Sequence, residues 1–235
     1  MRSVPAERLV EADFLLSIVP PAAALTFAQS LVPALSAASR KPVFVDCNAV
    51  SPATVRRIAS VVEGTGTSFV DAGIIGPPPK AGLAQPSIYA SGPEAARLTA
   101  LREHGLDVRV LAGRPVGAAS ALKLSYAGIT KGFMAVATAM TLAATRVGAT
   151  NELHQELVER EAGLLAALSA KVPDMLPKAY RWVAEMREIA LFATPDAAGE
   201  LYLGAANVYE RVARAMADEG PELEALRTFF ASRPE

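Results

Sequence analysis

Apolar residues in the first half of the chain come in short runs separated by helical stretches, and this alternation predicts a parallel β-sheet covered by helices. Pro21, Ser51 with Pro52, and Pro93 mark helix starts, and Gly105 marks the end of the third helix. The runs that predict strands lie at about residues 13–19, 43–47, 68–75, 87–90 and 108–111.

From Ala118 onward, apolar residues recur at intervals of three and four, which predicts helices throughout. The run over residues 118–147 predicts one helix of about 45 Å. The expected helix stops are Gly148, Pro173, Gly199 and Gly220. The fold class is therefore α/β followed by all-α, with a sheet domain over residues 1–115 and an all-helical domain over residues 116–235.

Composition narrows the class of protein. The 235 residues are 51% apolar and 20% charged, which is typical of a globular protein. The net charge of −1 comes from interspersed charges, so nucleic acid is not an expected partner. Cys47 is the only cysteine, and there are two histidines, so neither a disulfide nor a zinc site is expected. A reducing, cytoplasmic compartment fits this composition.

An uncharged stretch over residues 14–39 is long enough to span a bilayer, but prolines and polar residues interrupt it. We expect a buried strand followed by a helix and no membrane contact. The region before it carries Glu7 and Glu11, so a signal peptide is not expected.

Four segments resemble a known family when taken in order. They are Asp46 to Pro52, Phe69 to Pro78, Gly113 to Gly117 followed by Lys123, and Tyr180 to Ala190. The first three resemble β-hydroxyacid dehydrogenases, which are related to 6-phosphogluconate dehydrogenase, and the last resembles a subgroup with an uncharacterised C-terminal helical domain. The resemblance implies a doubly wound, Rossmann-type sheet, a helical domain that forms a homodimer, and NAD or NADP as cofactor, with the subgroup favouring NADP.

The phosphate-binding turn of that family is missing from this sequence. No glycine precedes Gly64, so a Gly-x-Gly-x-x-Gly turn cannot lie near the start. Gly64-Thr65-Gly66 precedes a predicted strand instead of following one, so it does not replace the turn. The resemblance therefore implies a sheet domain that opens partway through, at its fourth strand.

Three residues are candidates for contact with the cofactor. The turn after the first strand resembles the family segment that lies near the nicotinamide ribose, which implicates Val19 and Pro20. Asn48 stands where relatives meet the nicotinamide carboxamide, and its amide both donates and accepts hydrogen bonds. Ala49 replaces the usual threonine there. Alternatively, Val19 and Pro20 form an ordinary rigid turn, Asn48 forms a turn and Ser51 caps a helix.

Gly76 marks the family's substrate-carboxylate segment. Ile75 replaces the usual serine, and prolines at positions 77–79 remove backbone donors, so the resemblance implies a substrate other than a simple hydroxy acid. A rigid loop after a buried strand is the alternative.

Lys123 is the candidate catalytic residue. It lies in an otherwise apolar helix, and an ammonium group against apolar surface exchanges its proton more readily. The resemblance implies that Lys123 is the general acid and base. The asparagine expected four residues later is Ala127, and Tyr126 is a candidate to supply a substrate-binding hydroxyl instead. Alternatively, Lys123 extends into solvent.

Trp182 and Glu185 are candidates for substrate contact, because relatives contribute this helical region across the dimer to the partner's cleft. The alternative is a structural face in which Arg181 pairs with Glu185. The expected function is NAD(P)-dependent hydride transfer to or from a small hydroxy acid, carbonyl or imine. The competing hypothesis is a non-catalytic, truncated homologue that dimerises or binds a small ligand without turnover.

Overall fold

The computed structural model describes residues 3–79, 85–194 and 197–231. Its sheet has five strands in the order β1-β2-β3-β4-β5, so strands that follow one another in sequence are neighbours in space. The pairs β1–β2, β2–β3 and β4–β5 are parallel, whereas β3–β4 is antiparallel. The strands are β1 (Phe14–Ser17), β2 (Val43–Asp46), β3 (Ser68–Ile75), β4 (Ser87–Ser91) and β5 (Asp107–Val110).

The antiparallel pair corrects the expectation of an all-parallel sheet. Parallel neighbours need a crossover of about a dozen residues or more, usually a helix. Only residues 76–86 join β3 to β4, and prolines at positions 77–79 oppose a helix there. The chain therefore returns beside β3 in the opposite direction, and the Rossmann-type pattern continues from β4 to β5.

Each face of the sheet has its own core. On one face, Leu15, Phe44 and Phe69 pack with helices α1 (Ala24–Ala37) and α2 (Pro52–Glu63). The Phe44 and Phe69 rings stack with centroids 5.9 Å apart. On the other face, the core includes residues of the 3-10 segment Ala95–His104, such as Leu98.

Two predictions about this half are confirmed. Ser51 caps α2, since its hydroxyl oxygen accepts a hydrogen bond from the backbone N–H of Thr54 at 3.1 Å. The uncharged stretch over residues 14–39 forms β1 and α1, with Leu31 and Leu35 buried.

The second half is helical, as predicted, but two of the expected stops are wrong. Pro173 lies inside α5, near its end, where Val172 and Met175 are fully buried and their burial outweighs the cost of a lost backbone hydrogen bond. Gly199 lies in the first turn of α7, and a Cβ there would come within 3.3 Å of the Ala190 carbonyl oxygen. The helices are α3 (Ala118–Arg146), α4 (Thr150–Arg160), α5 (Ala162–Met175), α6 (Ala179–Ala193), α7 (Ala198–Asp218) and α8 (Pro221–Ala231).

The chain forms two compact units, Met1–Tyr126 and Ala127–Glu235. The first turns of α3 thus group with the sheet, while the predicted domain boundary at residues 115 and 116 stays a prediction. In the described part of the chain, α3 is the one helix with the length and apolar composition of a membrane span, and core helices of soluble proteins share that property.

Candidate functional site

Four buried polar residues form a row across the sheet. Ser17 lies opposite Asp46, Asp46 opposite Asp71, and Asp71 opposite Ser91. Each is at most 1% exposed. Directly opposed residues point to the same face of a sheet, so this row continues the face that carries Phe44. The strands β1 and β2 end at this row, and ligands bind doubly wound sheets at such carboxyl ends.

Asn48 holds the turns after β1 and β2 together. Its Oδ1 accepts a hydrogen bond from the Val19 backbone N–H at 2.7 Å, and its Nδ2 donates to Ser17 Oγ and to Asp46 Oδ2, each at 2.9 Å. The side chain is buried, and both amide hydrogens have partners. The turn-forming alternative therefore describes what Asn48 does in this structure. Its contact with a carboxamide stays a prediction, and donation to a ligand would require one of these bonds to break.

Val19 and Pro20, the other predicted cofactor-lining residues, lie in the turn that Asn48 holds. Val19 is half-buried and Pro20 is exposed. The structure thus brings Val19 and Asn48 together at the end of the parallel strands.

Asp46 has an unusual environment. Burial, together with the charge of nearby Asp71, raises the pKa of Asp46 from 3.8 to about 6, although the hydrogen bonds donated by Asn48 oppose the change. The Asn48 backbone N–H donates to Asp46 Oδ1 at 3.0 Å. Asp46, with a pKa of about 6, therefore shares the side chain of Asn48 with the backbone of Val19.

Asp71 caps the start of α3, a role that the sequence reasoning missed. Its Oδ2 accepts hydrogen bonds from the backbone N–H groups of Gly117 at 2.8 Å and Ala119 at 3.1 Å, and from Ser91 Oγ at 2.8 Å. Its Oδ1 accepts from Ser120 Oγ at 2.6 Å. A carboxylate is favoured at a helix N-terminus because it satisfies free N–H groups and opposes the helix dipole. The sequence signal for this capping role is an acidic residue inside an apolar strand.

Lys123 lies one turn beyond this cap and is half-buried. Its ammonium donates a hydrogen bond to the carbonyl oxygen of Ile74, at the end of β3. Gly73 permits the approach, because a Cβ at that position would lie 2.8 Å from the Ala119 carbonyl oxygen and 3.0 Å from Lys123 Cβ. The ammonium is thus held at the sheet, which disfavours the alternative in which it extends into solvent.

Gly76 follows Ile74 by two residues and is exposed. Its φ of +133° and the 2.9 Å that would separate a Cβ from Pro86 Cα both require glycine. Tyr126, one turn after Lys123 on α3, is 52% exposed. Gly76 and Tyr126 thus belong to the same compact unit as Lys123.

Trp182 and Glu185 belong to the helical unit. Glu185 forms an ion pair with Lys131 of α3, which corrects the expected pairing with Arg181. Glu185 is buried and Arg181 is exposed, so the carboxylate pairs with the half-buried ammonium of Lys131. The Lys131 ammonium lies 4.7 Å from the centroid of the Trp182 ring, and that ring packs edge-to-face on Tyr209 with centroids 5.2 Å apart. These contacts give Trp182 and Glu185 a structural role, and their contact with substrate stays a prediction.

Two other kinds of site receive no support from the part of the chain that the structure describes. No cluster of three His, Cys, Asp or Glu residues there is arranged to hold a metal ion. Cys47 is buried, and burial raises the pKa of its thiol, which makes it a poor nucleophile.

Comparison with protein families assigns both halves of the chain. Residues 2–102 match the NAD binding domain of 6-phosphogluconate dehydrogenase. Residues 144–212 match a domain of unknown function, DUF1932. These matches confirm the predicted 6-phosphogluconate dehydrogenase-like family. They also confirm its helical C-terminal domain of uncharacterised role.

The chain is also similar to individual proteins and solved structures. An uncharacterised 28.5 kDa protein of Methanothermus fervidus is 31% identical over 149 residues, which span 63% of this chain and 55% of that protein. A solved conserved protein of unknown function, described as structurally similar to 3-hydroxyacid dehydrogenases, is 25% identical with a TM-score of 0.62, covering 93% of this chain and 81% of its own. The 3-hydroxyisobutyrate dehydrogenase of Mycobacterium tuberculosis is 18% identical with a TM-score of 0.63, covering 95% and 81%, and shows the shared fold.

Proposed function

We propose that this 6-phosphogluconate dehydrogenase-like protein is an NAD(P)-dependent oxidoreductase in which Lys123 is the general acid and base. The substrate would be a small hydroxy acid, carbonyl or imine. The observation that carries the proposal is the fixed ammonium of Lys123, which Ile74 holds at the end of β3 while Asp71 anchors its helix. A proton-transfer group must be positioned before it can act, and the hydrogen bond to Ile74 supports that role for Lys123.

In the oxidation direction, neutral Lys123 would take the proton of the substrate carbinol as hydride leaves its carbon. In reduction, the ammonium would return a proton to the carbonyl oxygen or imine nitrogen. The Ile74 carbonyl accepts a hydrogen bond from the protonated form, so it orients the lysine in that state. Gly76 and Tyr126 are the proposed substrate contacts in the same unit. Trp182 and Glu185 would reach the substrate of the partner subunit across the proposed dimer.

A nicotinamide cofactor, when bound, supplies or accepts the hydride. The half-buried Val19 and exposed Pro20 fit the role of a surface for its nicotinamide end, and Asn48 holds their turn in place. No glycine before Gly64 is present to cradle the pyrophosphate. We therefore expect calorimetry with NADPH and NADH to show weak binding, with a slight preference for NADP. Submicromolar affinity would contradict this account of the cofactor site.

The proposed assembly is a cytoplasmic homodimer that uses the helical unit. Support comes from an exposed apolar stripe on α3, where Ile129, Phe133, Val136 and Met140 are each about half or more exposed. Three of these residues, Ile129, Phe133 and Val136, also line a groove of about 490 Å³ between α3 and α7. A contiguous exposed apolar surface often marks a protein–protein interface.

Turnover by matched variants tests the proposal. The protein would be mixed with NADP or NAD and a panel of small hydroxy acids, or with the reduced cofactors and aldehydes or cyclic imines, while nicotinamide absorbance is followed. On the best substrate, Lys123→Met should lower kcat by about 10²- to 10⁴-fold with a much smaller change in KM. The control, Lys171→Met, replaces an exposed lysine of α5 and should leave the rate unchanged.

Wild-type rate in Lys123→Met would remove the lysine from the mechanism. Absence of turnover with every substrate and both cofactors would favour the competing hypothesis of a non-catalytic homologue that dimerises or binds a small ligand. One observation supports this competing hypothesis: both amide hydrogens of Asn48 are already bound within the protein.

A further inference from the structure

The exposed apolar stripe of α3 extends beyond the four residues that support a homodimer. Its members follow one another at alternating intervals of four and three residues. They are Leu122, Tyr126, Ile129, Phe133, Val136, Met140, Ala143 and Val147, the last of which directly follows the helix. The large side chains among them are between 37% and 79% exposed, and Ala143 is half-buried. This alternation is the heptad spacing with which one helix packs along another.

The surroundings of the stripe leave room for a second helix. None of the stripe residues is charged. On one flank, Gly132 and Ala139 are small and line the groove between α3 and α7. Leu201 of α7 lines the same groove and is 58% exposed. A helix that lies on the stripe would therefore cover the groove as well.

The extent of the stripe matches one side of a dimer interface. An aromatic side chain buries about 150–250 Å² and an aliphatic one somewhat less, so the stripe leaves roughly 700 Å² uncovered at its observed exposures. A standard interface buries about 800 Å² on each partner. A second copy of the chain presents a stripe of the same length and the same lack of charge, so one pairing covers both stripes.

Side-chain volumes favour an antiparallel arrangement of the two helices. In a parallel pair each residue meets its own copy, so two Tyr126 rings would crowd one layer and two Ala143 methyl groups would leave a void in another. Reversal about the midpoint between Phe133 and Val136 instead places Tyr126 opposite Ala143, and Phe133 opposite Val136. Large residues then face smaller ones, and the two helix dipoles run in opposite directions, which is also favourable.

We infer that α3 packs antiparallel on α3 of a second copy, with Ile129 opposite Met140 of the partner subunit and Leu122 opposite Val147 of the partner subunit. The inference rests on the homodimer proposed above and adds the surface, the direction and the register of the pairing. The heptad spacing drifts by about 20° per seven residues on a straight helix, so the two helices would cross at about 20°. In this register the end of the partner's α3 lies beside Lys123, so the other subunit borders each candidate site.

Disulfide cross-linking reports both direction and register. The wild type is the background control, because its single cysteine, Cys47, is buried. Ile129→Cys and Met140→Cys would each be expressed alone and then together, and covalent dimer would be scored on non-reducing gels after mild oxidation. Antiparallel pairing brings the new thiols together only in mixed dimers. The co-expressed pair should therefore give at least about tenfold more covalent dimer than either variant alone.

A second pair and a mismatched pair check the register. Leu122→Cys co-expressed with Val147→Cys should cross-link in the same way. Ile129→Cys co-expressed with Val147→Cys should not, because seven residues of helix would separate these thiols by about 10 Å along the axis. All four positions are exposed, and either matched pair suffices if a variant of the other fails to fold.

The possible outcomes separate this inference from the proposals on which it rests. Covalent dimer from Ile129→Cys alone would indicate parallel pairing and overturn the inference. Absence of cross-linking in both matched pairs would overturn it too, and a light-scattering mass of two chains in those samples would show that the homodimer uses another surface. A mass of one chain would end both the homodimer and the pairing of α3. None of these measurements needs turnover, so they are independent of the proposed oxidoreductase activity.

Discussion

The hydroxyl of Ser120 donates a hydrogen bond to Oδ1 of Asp71 at 2.6 Å, and both residues are buried. This contact joins the middle of β3 to the first turn of α3. Lys123 lies one turn further along the helix, and its ammonium reaches the Ile74 carbonyl at the end of the same strand. The candidate catalytic lysine is therefore positioned by a carboxylate that need not touch any substrate.

Replacement of Asp71 tests how much this anchor stabilises the fold. Asp71→Asn keeps the size of the side chain but removes the charge and turns one acceptor into a donor that faces backbone N–H groups. The free energy of unfolding should fall by about 3 kcal/mol, measured by urea denaturation. Asp13→Asn is the matched control, since that carboxylate is 68% exposed in its pair with Arg40 and should contribute less than about 1 kcal/mol. Equal losses in the two variants would refute the anchoring role.

Gly73 is predicted to be required for close packing between β3 and α3. In Gly73→Ala the new methyl group would lie 2.8 Å from the Ala119 carbonyl oxygen, so strand and helix must separate. We expect a loss of about 1–3 kcal/mol in thermal unfolding. Gly163→Ala places the same methyl group on α5, where nothing lies within 4 Å, and should leave stability unchanged or raise it by about 0.5 kcal/mol. Unchanged stability in Gly73→Ala would show that β3 and α3 can separate at no cost in free energy.

Local sequence signals predicted most elements of the fold, because strand runs, helix caps and proline positions act within a few residues. The range of β3 was predicted as observed, and Ser51 was identified as a cap. The direction of β4 was missed because it depends on the short length of the preceding connection. Pro173 does not end a helix, because the burial of its neighbours is a tertiary effect that the local sequence does not show.

The sequence predicts only part of the candidate site, because contacts between residues far apart in the chain leave no local pattern. Lys123 was found through its apolar helix and the family resemblance, both of which are visible in sequence. Asp71 and Ser120 are 49 residues apart, and no local pattern indicates that one caps the helix of the other. The partner of Glu185 was also missed, because Lys131 is 54 residues away while Arg181 is one turn away.

Asp46 should make stability depend on pH. Its folded pKa of about 6 exceeds the ordinary 3.8, so the folded state holds a proton that the unfolded chain loses first. The contribution of this group is therefore complete below about pH 4 and is lost as pH rises through about 6, by roughly 3 kcal/mol in total. Urea denaturation across this window should show the wild type losing stability relative to Asp46→Asn, which cannot titrate. A stability difference that stays constant from about pH 4 to 7 would contradict the raised pKa.

The ion pair between half-buried Lys131 and buried Glu185 should make the stability effects of the two substitutions non-additive. Glu185→Gln leaves the ammonium without its counterion, and we expect a loss of about 3 kcal/mol in the free energy of unfolding. Lys131→Met should lower the free energy of unfolding by a similar amount, because it leaves the Glu185 carboxylate without its counterion. Oε1 of that carboxylate already lacks a hydrogen-bond partner among the described residues. The double variant should be much less destabilised than the sum of the two. Simple additivity would show that the pair contributes no coupling.

Dimerisation is predicted to depend on the exposed apolar stripe of α3. Ile129 is 73% exposed and Met140 is 57% exposed, and a second copy of the chain would cover both. Light scattering should give about twice the chain mass of 24.6 kDa for the wild type. The double variant Ile129→Glu, Met140→Glu should give the mass of a single chain, because a buried interface does not tolerate unpaired carboxylates. Ile18→Glu introduces the same charge at a residue that is 63% exposed in the sheet unit, and that variant should stay dimeric. A wild-type monomer that sediments with lipid vesicles would instead assign the stripe to a membrane surface and would end the dimer proposal.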